Sequence, residues 1–339
     1  MMASDGADEG FDAYSDGVQE ASVLFLKTGS ATAPWAVDWC ALSRLALQFG
    51  DDGGPHLVHG VMRPDVMALI FLRTPAAGEV FLGGQAIGWG DIIVLPPACE
   101  FTFFTDCADQ WLSISLVPEL ITADDRLAAL RPFLSPSVKP VFQALPQAVT
   151  HLVAAANSAC AAMKAAAPTD GVDGAARMMA LEQPLLEALG GVFSKGKVAG
   201  RVADEQFAAL EARMGAVLEY VRGRPYERIT IASLAAAQGV SSRTLQRIFN
   251  DYLHISPKDY LKYRELNLVR RALRRGHDAA EQVTRILGEH GITEFGRFAT
   301  EYKRLFGELP SETLHRAKVQ PPSGAKPAMA AMEAKPAAS

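Results

Sequence analysis

The sequence predicts an α+β protein: a β-rich N-terminal domain, a helical segment behind it, and an all-α C-terminal domain. Three observations predict this. Short apolar runs broken by turn residues fill positions 22–117, as in a barrel or sandwich. Positions 123–193 turn alanine-rich, with Leu181, Leu185 and Leu189 four residues apart on one helical face. Positions 230–306 use one short device twice, on either side of a long helix.

Taken in order, residues 1–18 are acidic and rich in small residues, and are expected to be disordered. They lack the basic and apolar regions of a signal peptide, and no run of 18 apolar residues occurs anywhere. A cytoplasmic protein without a membrane span is expected. The β-rich domain should occupy 19–122. A first strand is expected at 23–27, and a short helix or turn beginning at Pro34 and covering 34–39. Alternation of Leu45, Leu47 and Phe49 marks a strand at 44–49, with a turn at 51–55. Residues 66–72 suit a strand buried on both faces, and 79–82 followed by Gly83-Gly84 suit a hairpin. Strands at 92–97, 100–105 and 110–117 complete the set. A small closed barrel of this kind can hold one small ligand. Trp39, Phe71, Arg73 and Trp111 are the candidate lining residues, Arg73 because it is the one charge ending an apolar strand. Trp35 belongs with them, although aromatic side chains in a barrel also serve as plain core.

Residues 123–195 should be a helical cover, with segments at 125–130, 148–166 and 175–189; Pro184 marks a kink or a new helix start. Residues 196–204 are small and read as a linker. The helix that follows presents Phe207, Leu210, Met214, Val217, Leu218 and Val221 on one face, opening a domain at 205–318. Residues 319–339, rich in Pro, Ala and Lys, should be a disordered tail.

The repeated device is a helix-turn-helix, at 230–253 and 282–306. In the first copy Thr230 caps a helix carrying Ile231, Leu234 and Ala235, and Gly239 ends it. Val240 plugs the corner, and Ser241 caps a second helix whose Leu245, Ile248, Phe249 and Tyr252 share one face. The opposite face carries Ser242, Arg243, Gln246, Arg247 and Asn250. Arg and Gln are side chains that hydrogen-bond base edges in the major groove, although such a face can also be merely solvated. In the second copy Val283, Ile286 and Leu287 precede Gly291-Ile292, and Thr293 is the expected cap. Phe298, Tyr302 and Phe306 face inward, with Phe295 near the helix start. Arg297, Thr300, Lys303 and Arg304 face outward, a set suited more to phosphate contact than to base reading. Between the copies Ser256-Pro257 opens a helix through about Arg275, closed by Gly276, with Lys258 a further phosphate candidate. Such a helix sets two recognition helices about one DNA turn apart, roughly 34 Å.

A net charge of −5 argues against nucleic acid until the chain is divided. Residues 1–205 hold 12 basic and 24 acidic side chains, whereas 206–318 hold 19 and 13. Basic charge is concentrated where the repeated device lies. The acidic half is expected to avoid DNA and to attract the basic half when no duplex is present. The four cysteines form no C-x-x-C and read as idle thiols.

Residues 207–316 resemble the DNA-binding domain of the AraC/XylS family of transcriptional regulators. The resemblance rests on Gly291-Ile292, Gly296-Arg297-Phe298, Tyr302, Phe306-Gly307-Glu308 and Pro310-Ser311. It also rests on Val240-Ser241, Arg243-Thr244-Leu245-Gln246-Arg247 and Phe249. In that family base contacts fall on positions matching Arg243, Gln246 and Arg247. Thr300 departs from a frequent arginine. The sequences at 81–88, 117–121 and 266–273 resemble the branch of regulators similar to the ethanolamine-utilisation operon activator. The resemblance implies a cupin-like effector-sensing N-terminal domain and a helical segment that pairs two subunits. It further implies an activator whose partners are double-stranded promoter DNA, RNA polymerase and a small-molecule effector, and that needs no cofactor. The alternative is a cupin-type metal-dependent enzyme with a helical passenger. That needs histidines and a carboxylate converging on one point. His56 and His59, near a turn and three positions apart, would face opposite sides of a strand.

Overall fold

The computed structural model describes residues 10–135, 140–165, 172–199, 205–224, 229–275 and 283–319. Expectations for 1–9, for the linker at 200–204, for Gly276 and Gln282 and for the tail from 320 onward lie outside these residues. So does the side chain of Phe207.

In chain order the N-terminal half runs α1 (Phe11–Gly17), β1 (Ala21–Lys27), β2 (Ala36–Ala41), β3 (Leu45–Asp52), β4 (His56–Met62), β5 (Met67–Leu72), β6 (Val80–Leu82), β7 (Gln85–Ile87), β8 (Asp91–Leu95), β9 (Glu100–Thr105) and β10 (Asp109–Leu116). Then come α2 (Pro118–Ala123), a 3-10 helix (Asp125–Phe133), β11 (Val141–Gln143), α3 (Pro146–Ala165), α4 (Val172–Lys195) and β12 (Lys197–Ala199). All strand pairings are antiparallel, in one sheet of order β1-β4-β9-β6-β7 and a second of order β12-β11-β8-β5-β10-β3-β2.

The two sheets face each other, and both are buried on both sides. Phe25, Val58 and Phe101 of the first sheet meet Ala68, Leu72 and Ile93 of the second in the space between them. On the far side of the second sheet Leu47, Leu69, Val94 and Ile114 pack under α2, α3 and α4, whose Leu152, Leu185 and Leu189 are fully buried. On the far side of the first sheet Leu26, Leu57, Phe81 and Phe104 pack against the C-terminal domain. Residues of alternate parity on one strand thus enter different apolar layers, so no polar face appears in the sequence.

The structure corrects five expectations. Residues 11–17 are not disordered: they form α1, whose Phe11 and Tyr14 pack edge-on against Trp35 and Phe25. Residues 36–41 are not helix or turn but edge strand β2, paired from Ala36↔Asp51 to Ala41↔Ala46; β-branched and aromatic Val37 and Trp39 suit that pleat. Asp51 and Asp52 belong to strand β3, leaving the turn to Gly53, Gly54 and Pro55. His56 and His59 lie within β4 rather than beside a turn. The linker region opens with β12, which pairs β11. Pro184 lies inside α4, which runs through it. Within α4, Glu182 is fully buried and binds Arg44 at the start of β3, accepting from its backbone N–H (2.6 Å) and its Nε (2.9 Å).

The C-terminal half runs α5 (Glu205–Arg222), α6 (Ile231–Ala237), α7 (Ser242–Leu253), α8 (Pro257–Arg275), α9 (Val283–Glu289), α10 (Phe295–Phe306) and α11 (Pro310–Val319). One apolar cluster joins α5, α6, α7 and the start of α8, and a second joins the rest of α8 to α9, α10 and α11. A single helix therefore belongs to both cores and fixes their separation.

Candidate nucleic-acid interface and ligand cavity

The first unit is built as its caps require. Thr230 accepts from the Ser233 N–H (3.0 Å), and Ser233 Oγ accepts from the Thr230 N–H (3.0 Å), a reciprocal box at the start of α6. Gly239 has φ +62°, the left-handed geometry that ends α6 without a Cβ penalty. Ser241 accepts from the Thr244 N–H (3.1 Å) and starts α7. Leu245, Ile248, Phe249 and Tyr252 are buried, which leaves Ser242, Arg243, Gln246, Arg247 and Asn250 exposed on the other side. Gln246 Nε2 donates to Asn250 Oδ1 (3.1 Å), which holds two amides side by side. Arg243 and Arg247 carry no acidic partner among the described residues.

The second unit repeats the scaffold with a different face. Gly291 has φ +70°, and Phe298, Tyr302 and Phe306 are buried. The helix cap falls on Glu294, without a side-chain bond, rather than on Thr293. Phe295 is 42% exposed. Arg297, Thr300, Lys303 and Arg304 are exposed. Arg297 stands between Glu294 (3.4 Å) and Glu301 (3.5 Å), which partly neutralise it. The Thr300 hydroxyl turns back to donate to the Gly296 carbonyl (3.0 Å). Lys258 is exposed in the first turn of α8, and with Arg297 it borders an open groove of about 600 Å³ between α8 and the second unit.

Between the two sheets lies a cavity of about 100 Å³. Its wall is mostly apolar, with Phe25, Ile70, Phe101, Phe103 and Trp111 among the lining residues. At one end sits a buried polar network. Tyr14 donates to Asp52 in a short hydrogen bond, and Trp111 Nε1 donates to the same Asp52 oxygen (3.0 Å). His56 Nε2 is 3.4 Å from the other oxygen of Asp52. Burial pushes the Asp52 carboxyl up to about 6. Burial and the neighbouring Asp52 push Asp109 up to about 8. Burial lowers His56 below its ordinary value.

The strands that line the cavity also carry the joint to the C-terminal domain. His254 ends α7 in the left-handed conformation (φ 56°) and stacks on Phe81 with ring centroids 3.5 Å apart. Gly84 (φ +89°) lies so close to the end of α7 that a Cβ there would meet the Asp251 carbonyl oxygen at 2.4 Å. The Asn267 side chain accepts from the Lys27 N–H and donates to the Lys27 carbonyl (both 3.0 Å), so α8 caps the edge of β1 like one more rung. His59, on the opposite face of β4 from His56, receives Arg222 Nη2 at Nε2 (2.5 Å). Its Nδ1 therefore carries the ring proton and faces Thr102 Oγ1 (3.0 Å). Helix α1 closes the joint. Asp12 binds Arg270 through Nε (3.0 Å) and Nη2 (2.8 Å), and Asp16 accepts from Arg274 Nη2 (2.9 Å). Arg270 also donates to Glu308 (2.8 Å) and lies over the Phe306 ring. One short helix thus touches the cavity network through Tyr14 and the second half of the DNA-binding scaffold through Arg270.

A family profile described as a helix-turn-helix domain matches residues 234–316. The XylDLEGF operon transcriptional activator of Pseudomonas putida is 30% identical over 134 residues, which are 40% of this chain and 39% of that protein. The probable thc operon regulatory protein of Rhodococcus erythropolis is 37% identical over 106 residues, 31% of this chain and 32% of that one. A crystal structure of a probable AraC family transcriptional regulator from Rhodopseudomonas palustris is 34% identical, covering 32% of this chain and 98% of that one with a TM-score of 0.29. Residues 234–316 are a helix-turn-helix DNA-binding domain of the AraC/XylS type. The chain spans about two fifths of the length of the first of these curated relatives.

In this AraC/XylS-type domain the sequence-selected face of α7 is one exposed surface. The pocket candidates separate. Trp111 lines the cavity, and Phe71 borders it while packing into the layer under α3 and α4. Trp39 sits half-buried on edge strand β2, away from the cavity. Arg73 points to the strand ends instead: Nε donates to the Trp111 carbonyl (3.1 Å) and Nη2 to Asp51 (2.6 Å). Through Nε and Nη2 it ties the ends of β3 and β10 together. The sequence does not mark Glu20, Asp52, His56 and Asp109 as cavity groups, nor Tyr14 as the donor to Asp52. The available signal was a set of charged or polar residues at the edges of strongly apolar strands.

Proposed function

We propose that this chain is a sequence-specific DNA-binding regulator, an activator, controlled by a small molecule held between the two N-terminal sheets. The observation that supports this best is the exposed Arg243, Gln246 and Arg247 face on a helix fixed at both ends. Bidentate Arg and Gln contacts discriminate bases, each by about 1–3 kcal/mol. Ser242 and Asn250 extend that face, while Lys258, Arg297, Thr300, Lys303 and Arg304 supply the backbone contacts that set register. The partners are promoter duplex, RNA polymerase, the effector and a second copy of the chain.

Control follows from the layering. Strands β1 and β4 present one face to the cavity and the other to the C-terminal domain, and α1 touches both. An effector that favours a different packing of α1 shifts the balance between docked and released domains. The cupin-type enzyme alternative requires three converging metal ligands, and the described residues assemble no such group.

The test is selection of bound duplex from a random pool by the full-length protein and by Arg243→Ala. A bipartite or directly repeated motif is expected, with one half-site relaxed in the variant. A pool that stays random with and without the small-molecule fraction of the producing cells would overturn the reading.

A further inference from the structure

Three carboxyl groups, Glu20, Asp52 and Asp109, and one histidine line the cavity, and no lysine or arginine does. Asp52 is held by Tyr14, Trp111 and His56. Glu20 is different. It stands between α1 and β1 with φ 69°, is 6% exposed, and neither carboxylate oxygen has a hydrogen-bond partner. Its backbone carbonyl is engaged by the Arg63 N–H (2.9 Å), but the Arg63 guanidinium turns to Asp65. Burial raises the Glu20 carboxyl above its ordinary range, against a smaller opposing pull from the nearby Arg63 charge. A buried, unpartnered carboxyl destabilises a fold, and such groups persist where a ligand completes them. The remaining wall offers aromatic rings, Phe25, Phe101, Phe103 and Trp111, whose faces attract cations.

We propose that the cavity takes a small organic ammonium ion, a protonated amine on a short apolar body. This rests on the reading of the cavity as the effector site. The ammonium pairs with Glu20, and the body lies among the rings. A carboxylate ligand meets three carboxyl groups on a wall that carries no lysine or arginine. A neutral ligand brings the Glu20 carboxylate no opposite charge of its own. The volume of about 100 Å³ suits a body of a few heavy atoms.

The test uses three probes of one size, butylammonium, 1-butanol and butyrate, with the full-length protein. Calorimetry gives affinity, and the thermal midpoint gives stabilisation of the native state. Wild type should bind butylammonium at least about tenfold more tightly than butanol, and butyrate more weakly still. Glu20→Gln should lose at least about tenfold for butylammonium while its affinity for butanol is unchanged. The ligand-free variant should melt at or above the wild-type temperature, which also shows that it folds. Glu79→Gln, exposed and outside the cavity, should change nothing. Equal butylammonium affinity in wild type and Glu20→Gln, tighter binding of butyrate, or no butylammonium binding would each overturn the ammonium assignment. The promoter-binding assay separates the two readings. If butyrate or butanol alters DNA affinity, the effector site stands and the ammonium assignment falls. If butylammonium binds through Glu20 and DNA affinity is unchanged, the converse holds.

Discussion

Asp12 is the point at which α1 grips the DNA-binding scaffold, and Asp12→Asn measures that grip. The Arg270 side chain is 5% exposed and divides its donors between Asp12 and Glu308. Removing one partner of a buried pair costs about 3–5 kcal/mol when the other charge is left alone. Here Glu308 remains, and Asp12 is itself 25% exposed, so the cost should fall to about 1–2 kcal/mol. The asparagine keeps the shape and one acceptor, so the barrel should stay folded. The loss should appear as local opening of α1, with amide hydrogen exchange over Phe11–Gly17 faster by roughly 5- to 30-fold. Amides of β4 and β9 should exchange at wild-type rates. Unchanged protection over α1 would refute the clamp, and so would equal acceleration throughout the N-terminal half.

Three further outcomes are expected. Asp52 and Asp109 titrate near 6 and 8 in the fold and near 4 when unfolded, so between these values the native state holds more protons. Stability should therefore fall as pH rises from about 4 to 8, and Asp109→Asn should flatten that slope in urea titrations and be the more stable protein at pH 8. Gly84→Ala should separate the domains rather than unfold them, because its Cβ meets backbone of α7 at 2.4 Å; faster exchange at both sides of the joint, at a cost on the order of 1–3 kcal/mol, checks this. Lys303→Ala with Arg304→Ala should weaken binding to all duplexes alike and reduce the slope of log affinity against log salt by about 2, measured by anisotropy titration.

The C-terminal domain was legible in the sequence because its signals are local. Thr230, Gly239, Ser241 and Gly291 each act within one turn, and α7 and α10 bury one face and expose the other, so period and caps agree. Thr293 failed as a cap because the helix begins one residue later, an ordinary boundary shift. The N-terminal half was legible as strands but not as layers. With both faces of β1, β3, β4 and β5 buried, the period of two that marks a sheet facing water disappears. Helix α1 is not legible in the sequence because its acids look like a solvated tail. Their partners, Arg270 and Arg274, lie more than 250 positions away. Arg73 looked like a ligand group because sequence shows a charge at a strand end and not the three acceptors waiting for it. Glu20 was invisible for the same reason: only the fold shows that a glutamate near the N-terminus is sealed in without a partner.

The most direct test of the regulator reading is the affinity of the full-length protein for its selected duplex and for a scrambled duplex of equal length, at one moderate salt concentration. A ratio of at least about 10³ is expected, falling by about 5- to 100-fold in Arg243→Ala through loss at the selected site alone. Equal affinities for the two duplexes in wild type, with or without effector, would contradict it.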